Sequence, residues 1–382
     1  MKRSVLIVVG TRPEVIKMVP VYLAMRQSGT LFPILLSTGQ HREMLDQSLA
    51  AFEIQPDHDL KLMTQGQTLT SLTALVLSEV GAFLEEHQPD AILVQGDTTT
   101  VMASAMAAFY HRIPVGHVEA GLRTYDMQSP WPEEMNRRVV APIARWHFVP
   151  THGAEENLVS ERVAKERVFV TGNTVVDSLL RMKERLIGND KDRMKEAFSP
   201  LFYDRFLSVT SSMRWILVTG HRRESFGDGF ERICQALRRL VDSYEDLGII
   251  YPVHLNPRVN EPVNRLLGDH ERIALIEPVG YASFVWLMSK CHFVLSDSGG
   301  VQEEAPSLGK PVLVMRKQTE RNEGVKAGTS RLVGTDVEMI VSEAGLLLDD
   351  DAAYSERAAI ANPYGDGKAA ERIVTVLEGS LK

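Results

Sequence analysis

Val5-Leu6-Ile7-Val8-Val9-Gly10-Thr11-Arg12-Pro13-Glu14 drives five consecutive apolar residues into a glycine turn, followed by a proline suited to the first position of a helix. Apolar residues in unbroken succession read as a strand buried on both faces, the condition of a parallel sheet. The pattern returns in the second half of the chain. Val218-Thr219-Gly220-His221-Arg222-Arg223-Glu224 shares V-x-G-x-R-x-E with the first turn. Further on in each half, Gln95-Gly96-Asp97-Thr98-Thr99-Thr100 and Leu295-Ser296-Asp297-Ser298-Gly299-Gly300 both read as strand, aspartate, then small residues opening a helix. Two echoes in the same order point to two Rossmann-like domains.

Outward from these turns, short β-branched runs alternate with longer amphipathic stretches, the signature of doubly wound α/β domains. Strands are predicted at 5–9, 32–37, 91–95, 115–119, 146–149 and 168–171 in the first half. In the second half they are predicted at 215–219, 249–254, 273–276, 293–296, 311–315 and 331–333. Helical patterns include 69–84, 101–110 and 230–240, and the seam is expected near 171–185. Ligands of open α/β sheets bind beyond the carboxyl ends of the strands, so two facing domains would share one cleft.

The chain has 382 residues, a length for two or three domains, and its 44% hydrophobic content is enough for a sizeable core. With 42 basic against 50 acidic residues and basic residues only in pairs such as Arg222-Arg223 and Arg238-Arg239, nucleic acid is not an expected partner. Cys234 and Cys291 are too few for a disulfide scaffold, which suits a reducing cytosol. The apolar run after Met1-Lys2-Arg3 is too short for a signal peptide, and no segment is long enough for a membrane span. A soluble cytoplasmic protein is expected.

Three segments carry chemistry. Asp297-Ser298-Gly299-Gly300-Val301-Gln302-Glu303-Glu304 opens a helix whose free N–H groups, unobstructed at two glycines, make an anion site. Ser298 adds a hydroxyl, and Glu304, one turn on, can accept from ribose hydroxyls; the plainer reading is a glycine turn with an acidic first helical turn. At the first turn Arg12 can contact phosphate, unless Arg12 and Glu14 simply face solvent. Neither G-x-G-x-x-G nor G-x-x-x-x-G-K-[ST] occurs, which removes the usual support for nicotinamide binding or P-loop hydrolysis.

The third segment is PVGHVEAGLRTYDMQSPWPEEMNRR (114–138), in which Glu119 ends a strand and a long polar loop leads to Glu133 at a helix start. Arg137 follows one turn later, where an exposed i,i+4 ion pair with Glu133 is the plain reading. The sharper one gathers Asp97, Glu119 and Glu133 at the strand and helix ends of one domain. His221 also ends a strand, Phe284 can stack on a base, and the remaining histidines lack ligand spacing, so no metal is expected.

GTRPE (10–14), GQHREMLDQ (39–47), QGDTTT (95–100), GHVEAGLRT (116–124), PWPEEMNR (130–137), TGNTVVD (171–177), GHRRESFG (220–227), YPVHLNP (251–257), DSGGVQEEAPSLGKPVLVMR (297–316) and NPYGDG (362–367) closely resemble the bacterial non-hydrolysing UDP-N-acetylglucosamine 2-epimerase family. The resemblance runs from end to end and is weakest around 183–214. It implies a glycosyltransferase-B-type fold divided as 1–172 with 363–382, and 173–362, the C-terminal helix crossing back to the first domain. It implies an isomerase that interconverts UDP-GlcNAc and UDP-ManNAc for surface polysaccharide synthesis, usually as a homodimer, with no cofactor. Carried over by motif, Ser298, Gly299, Gly300 and Glu304 hold the diphosphate and ribose, Arg12, His221 and Arg321 lie near the UDP, and Phe284 lies near the uracil. Asp97, Glu119 and Glu133 are the acid/base candidates, with His221, Arg137 and Lys17 in support. Gln40, Gln67, Arg222 and His254 match a regulatory UDP-GlcNAc site of some members, although Gly66 stands where some carry Arg.

The implied chemistry is elimination of UDP across carbons 1 and 2 to a 2-acetamidoglucal, then re-addition after protonation of the opposite face. It needs firm diphosphate binding, acid/base groups on both faces, and closure that excludes water. Three readings compete: a hydrolysing relative releasing ManNAc and UDP, a glycosyltransferase of the same fold, and a non-catalytic nucleotide-sugar sensor.

Overall fold

The computed structural model describes residues 2–39, 42–64, 66–186, 198–207 and 213–381. The chain divides into two compact units, Met1–Ser178 with Tyr364–Lys382, and Leu179–Pro363. The division falls inside the helix Thr174–Leu186.

The first unit holds a parallel sheet of β1 (Arg3–Val9), β2 (Leu31–Ser37), β3 (His58–Asp59), β4 (Ala91–Gln95), β5 (Val115–Val118), β6 (Trp146–Val149) and β7 (Val168–Val170), in the order β3-β2-β1-β4-β5-β6-β7. The second holds β8 (Arg214–Thr219), β9 (Leu247–Pro252), β10 (Ile273–Ile276), β11 (Val294–Ser296), β12 (Val312–Val314) and β13 (Ser330–Leu332), in the order β10-β9-β8-β11-β12-β13. Every pairing in both sheets is parallel. Val5, Leu6, Ile7, Val8 and Val9 are all buried, as a central strand with helices on both faces demands.

Each predicted strand is present. β3 was not anticipated: its two polar residues, joined to β2 at Leu36↔His58, carry no hydrophobic pattern. β9 ends at Pro252, short of the predicted His254; His254 is exposed beyond the strand. Glu119 lies just past β5 and not in it, at φ 61.

Both sheets reverse strand order between their first and fourth strands: β1 and β4 in one unit, β8 and β11 in the other. That is the topological switch point at which open α/β sheets form a ligand crevice. It also explains the sequence echo, since the two related turns follow β1 and β8 and the two aspartates follow β4 and β11. The helices Leu69–His87 and Thr99–Tyr110 pack Leu72, Val76, Val80 and Leu84 with Val101, Ala105 and Ala108 over the first sheet. In the second unit, Phe230, Leu237 and Leu240 of the helix Asp228–Ser243 pack with Ile249 and Tyr251.

The C-terminal helix Ala369–Ser380 belongs to the first unit and packs on the helix Arg12–Ser28. Its first N–H groups lack partners within the helix. The buried Asp177 carboxylate supplies them, accepting from the amides of Ala369 at 3.2 Å and Ala370 at 2.8 Å. Among the described residues, no helix is long and apolar enough to cross a membrane.

Candidate active site

The first unit gathers its charged groups at the ends of β1, β4 and β5. Lys17, on the helix that follows β1, donates to Glu119 at 2.6 Å, and both side chains are buried. Glu119 also accepts from Gln95 of β4 and from Asn173 at 3.4 Å. Its positive φ is uncommon for a residue with a side chain, and this degree of restraint is what keeps it there. Asp97, directly after Gly96, pairs with Arg137, and its carbonyl accepts from Asn136 at 2.7 Å. Arg137 in turn bonds Glu134 at 3.2 Å, an i,i+3 contact. The surface pair between Glu133 and Arg137 is therefore not formed: the helix Glu133–Ile143 turns Glu134, Asn136 and Arg137 inward.

Glu133 is half-buried, and its Oε2 finds no partner among the described residues. An unpaired buried carboxylate oxygen is costly unless a ligand proton or donor meets it. The loop between Glu119 and Glu133 is tied down by Glu134, which accepts from the amides of Thr124 and Tyr125, and by a two-bond contact of Arg123 with Glu161, each at 2.8 Å. Beneath the site, His117 bonds the Gly96 carbonyl at 2.7 Å; burial pushes its imidazole down to about 4.

In the second unit, the helix Gly299–Glu304 starts where β11 ends, with Ser298 at its N-cap making no side-chain cap. Ser298 Oγ and Glu304 Oε2 lie 3.9 and 3.8 Å from where a side-chain carbon of Gly300 would stand, so both face the same opening. The Arg321 guanidinium lies close against the helix start, its carbon 3.0 Å from where a Cβ of Gly299 would stand. Arg321 itself bonds Glu303 at 3.0 Å and Glu320 at 2.7 Å. Burial raises the Glu320 pKa, yet Arg321 and Arg316 bring it down to about 2. Tyr281, at the start of the helix that also carries the half-buried Phe284, donates to Glu304 Oε1 at 2.8 Å.

Across the switch point, Asp297 accepts from the amides of His221 at 2.7 Å and Arg222 at 2.8 Å, and its Oδ1 lies 3.3 Å from His221 Nδ1. Burial lowers the His221 pKa more than the Asp297 charge raises it, which favours a neutral ring. His254 stacks on His221 with centroids 5.6 Å apart, and Arg222 reaches Glu320 at 3.8 Å.

The predicted residues thus fall into two sets. Lys17, Asp97, Glu119, Glu133 and Arg137 share the first unit with the half-buried Arg12 and Gln67; His221, Arg222, His254, Phe284, Ser298, Gly299, Gly300, Glu304 and Arg321 share the second. Gln67 donates to the Leu62 carbonyl at 3.3 Å, and Gln40 lies outside the described residues. Gly66 has φ 73, a left-handed conformation that disfavours an arginine. Sequence reasoning missed Glu14, Gln95, Glu134, Asn136, Asn173, Tyr281 and Asp297 as side chains that hold the site. Most stand within the quoted motifs, but nothing in their spacing says which way they point. Glu14 is buried, so the plainer alternative of a solvent-facing Glu14 at the first turn does not hold. Among the described residues, no group of three or more His, Cys, Asp or Glu is arranged to hold a metal ion.

The family model for UDP-N-acetylglucosamine 2-epimerase matches residues 23–378. The UDP-N-acetylglucosamine 2-epimerase of Escherichia coli K12 is 52% identical over 99% of both chains. The crystal structure of the Neisseria meningitidis UDP-GlcNAc 2-epimerase bound to UDP-GlcNAc is 47% identical, covers 98% of this chain and 99% of its own, and superposes with a TM-score of 0.89. A Staphylococcus aureus MnaA–UDP structure is 45% identical, with a TM-score of 0.86 over 100% of this chain and 97% of its own. This two-unit α/β chain, of the glycosyltransferase-B type, belongs to the UDP-N-acetylglucosamine 2-epimerase family of isomerases.

Proposed function

We propose that this chain interconverts UDP-GlcNAc and UDP-ManNAc without hydrolysis, by reversible loss of UDP to a 2-acetamidoglucal. The observation that carries the reading is that the two switch points hold complementary chemistry. One presents Asp97, Glu119 and Glu133 with Lys17 and Arg137; the other presents a helix start flanked by Ser298, Glu304, His221 and Arg321. A nucleotide sugar needs both: anchorage for a diphosphate that leaves and must stay, and acid/base groups for a carbon-bound proton.

The proton on carbon 2 is not adjacent to a carbonyl and is too weakly acidic for simple removal. Its transfer to a carboxylate is coupled to cleavage of the bond between carbon 1 and the UDP oxygen, leaving a carbon 1–carbon 2 double bond. The leaving diphosphate gains charge, which N–H dipoles at the start of Gly299–Glu304 and the Arg321 cation stabilise. A proton then returns to carbon 2 on the opposite face and the UDP oxygen re-forms its bond to carbon 1. Two proton transfers on two faces require more than one acid/base group, hence the set Asp97, Glu119 and Glu133. The ion pairs of Asp97 and Glu119 with Arg137 and Lys17 fit groups that receive a proton while charged.

Glu304, which accepts from Tyr281 at Oε1, is assigned to the ribose hydroxyls, and Phe284 to the base. Arg222 and His254, grouped with His221, together with Gln67 and Gln40, are assigned to a second UDP-GlcNAc that activates the enzyme, and the working assembly is a homodimer. Chromatography of UDP-GlcNAc incubated with the protein tests the reading. It predicts a mixture of UDP-GlcNAc and UDP-ManNAc with no steady rise in free UDP. Continuous release of ManNAc with UDP would identify a hydrolysing enzyme, and consumption only with an added acceptor would identify a transferase.

A further inference from the structure

Glu14 has no role in the scheme above, yet its carboxylate joins two turns of the first unit. Oε2 accepts from the amides of Gly10 and, at 3.1 Å, Thr11 at the end of β1; Oε1 accepts from the Thr98 hydroxyl at 2.6 Å, next to Asp97 at the end of β4. Satisfying the amide of Thr11 is an ordinary duty for a carboxylate in a first helical turn and needs no burial. Glu14 is 1% exposed, and the bond from Thr98 adds a partner from another strand end, which a cap alone does not need. Thr98 caps the helix Thr99–Tyr110, its oxygen accepting from the Val101 amide at 3.2 Å, so its proton goes to Glu14.

The turn 96–98 is held elsewhere by His117 at the Gly96 carbonyl, Asn136 at the Asp97 carbonyl and Arg137 at the Asp97 carboxylate. Glu14 restrains it from the β1 side. The same helix carries Lys17, three residues on, to Glu119. We propose that Glu14 is a positioning residue for the proton transfers: through the Thr98 hydroxyl it fixes Asp97 relative to the Lys17–Glu119 pair. The proposal rests on the reading of Asp97 and Glu119 as acid/base groups.

The test compares Glu14→Gln, Thr98→Val, Thr98→Ser and the Glu14→Gln/Thr98→Val double variant, each folded by circular dichroism, in the interconversion of UDP-GlcNAc and UDP-ManNAc. A misplaced acid/base group lowers turnover with little effect on nucleotide binding. Glu14→Gln and Thr98→Val should each reduce kcat by about 10- to 100-fold, with KM and UDP Kd within about twofold of wild type. Thr98→Ser, which restores the hydroxyl, should recover turnover, and the double variant should be no slower than the slower single one. Wild-type kcat in Glu14→Gln, a Thr98→Ser as slow as Thr98→Val, or multiplying losses in the double variant would each overturn the proposal. Amide hydrogen exchange separates this failure from that of the proposed function, because it needs no turnover. Glu14→Gln should speed exchange at Gly10 and Thr11 and across 97–101; unchanged exchange there overturns the clamp even if the wild-type chain acts on another substrate.

Discussion

Residue by residue, the proposed reaction asks some groups to change protonation and others to hold a ligand. Asp97→Asn and Glu119→Gln remove a proton acceptor while keeping shape, and each should lower kcat by about 10²-fold or more, with UDP Kd nearly unchanged by calorimetry. A parallel loss of UDP affinity would mean these carboxylates hold nucleotide. Glu304→Ala should act in the opposite sense, weakening UDP binding first, because a ribose contact is made in ground and transition states alike. Tyr281→Phe removes one hydrogen bond that orients Glu304, so it should weaken UDP binding more mildly, by about 1 kcal/mol. UDP affinity unchanged in both variants would move the nucleotide elsewhere.

At the scale of the element, the C-terminal helix depends on one buried carboxylate. Burial pushes Asp177 up to about 6 against the two amide bonds that favour its charged form. Asp177→Ala leaves the first N–H groups of Ala369–Ser380 without that partner, a loss of about 1–2 kcal/mol. Limited proteolysis should then cut within the C-terminal segment faster than in the wild type; equal rates would show that apolar packing of Ile373 and Leu377 suffices. Elements are also where sequence is most and least readable. Unbroken apolar runs such as that of β1 give strands away because a central parallel strand buries both faces. The two-residue β3 has no such run. The helix start at Gly299 was legible because its signal is local: a strand end, a hydroxyl and two glycines. The carboxylate cluster was legible only as a set of candidates, since Lys17 meets Glu119, and Arg137 meets Asp97, across long stretches of chain. No role for Glu14 was legible, because its partner Thr98 lies at another strand end.

At the scale of the whole molecule, buried titratable groups pull stability in opposite directions. Burial raises Glu14 from 4.5 to about 7, so between those values the unfolded chain has released a proton that the native chain keeps; stability falls as pH rises through that window. Burial lowers His117 to about 4 and His147 to about 3, so the unfolded chain gains protons that the native chain refuses, and stability falls as pH drops below about 6.5. Glu14→Gln removes the first trend and leaves the second. Urea unfolding should show the difference in unfolding free energy between variant and wild type moving in the variant's favour from pH 4.5 to 7, by on the order of 3 kcal/mol. A difference independent of pH would mean that Glu14 titrates as it does in the unfolded chain.

In the proposed reaction a proton leaves carbon 2 of the sugar and another returns to its opposite face while UDP departs and comes back. Proton NMR of UDP-GlcNAc with the purified protein in D₂O, without added nicotinamide or metal, addresses it directly. Deuterium should appear at carbon 2 of the epimerised product and, as the reaction reverses, of the remaining substrate, with UDP-ManNAc accumulating to equilibrium. Binding of UDP-GlcNAc with no deuterium at carbon 2 and no UDP-ManNAc would contradict it and leave a nucleotide-sugar sensor.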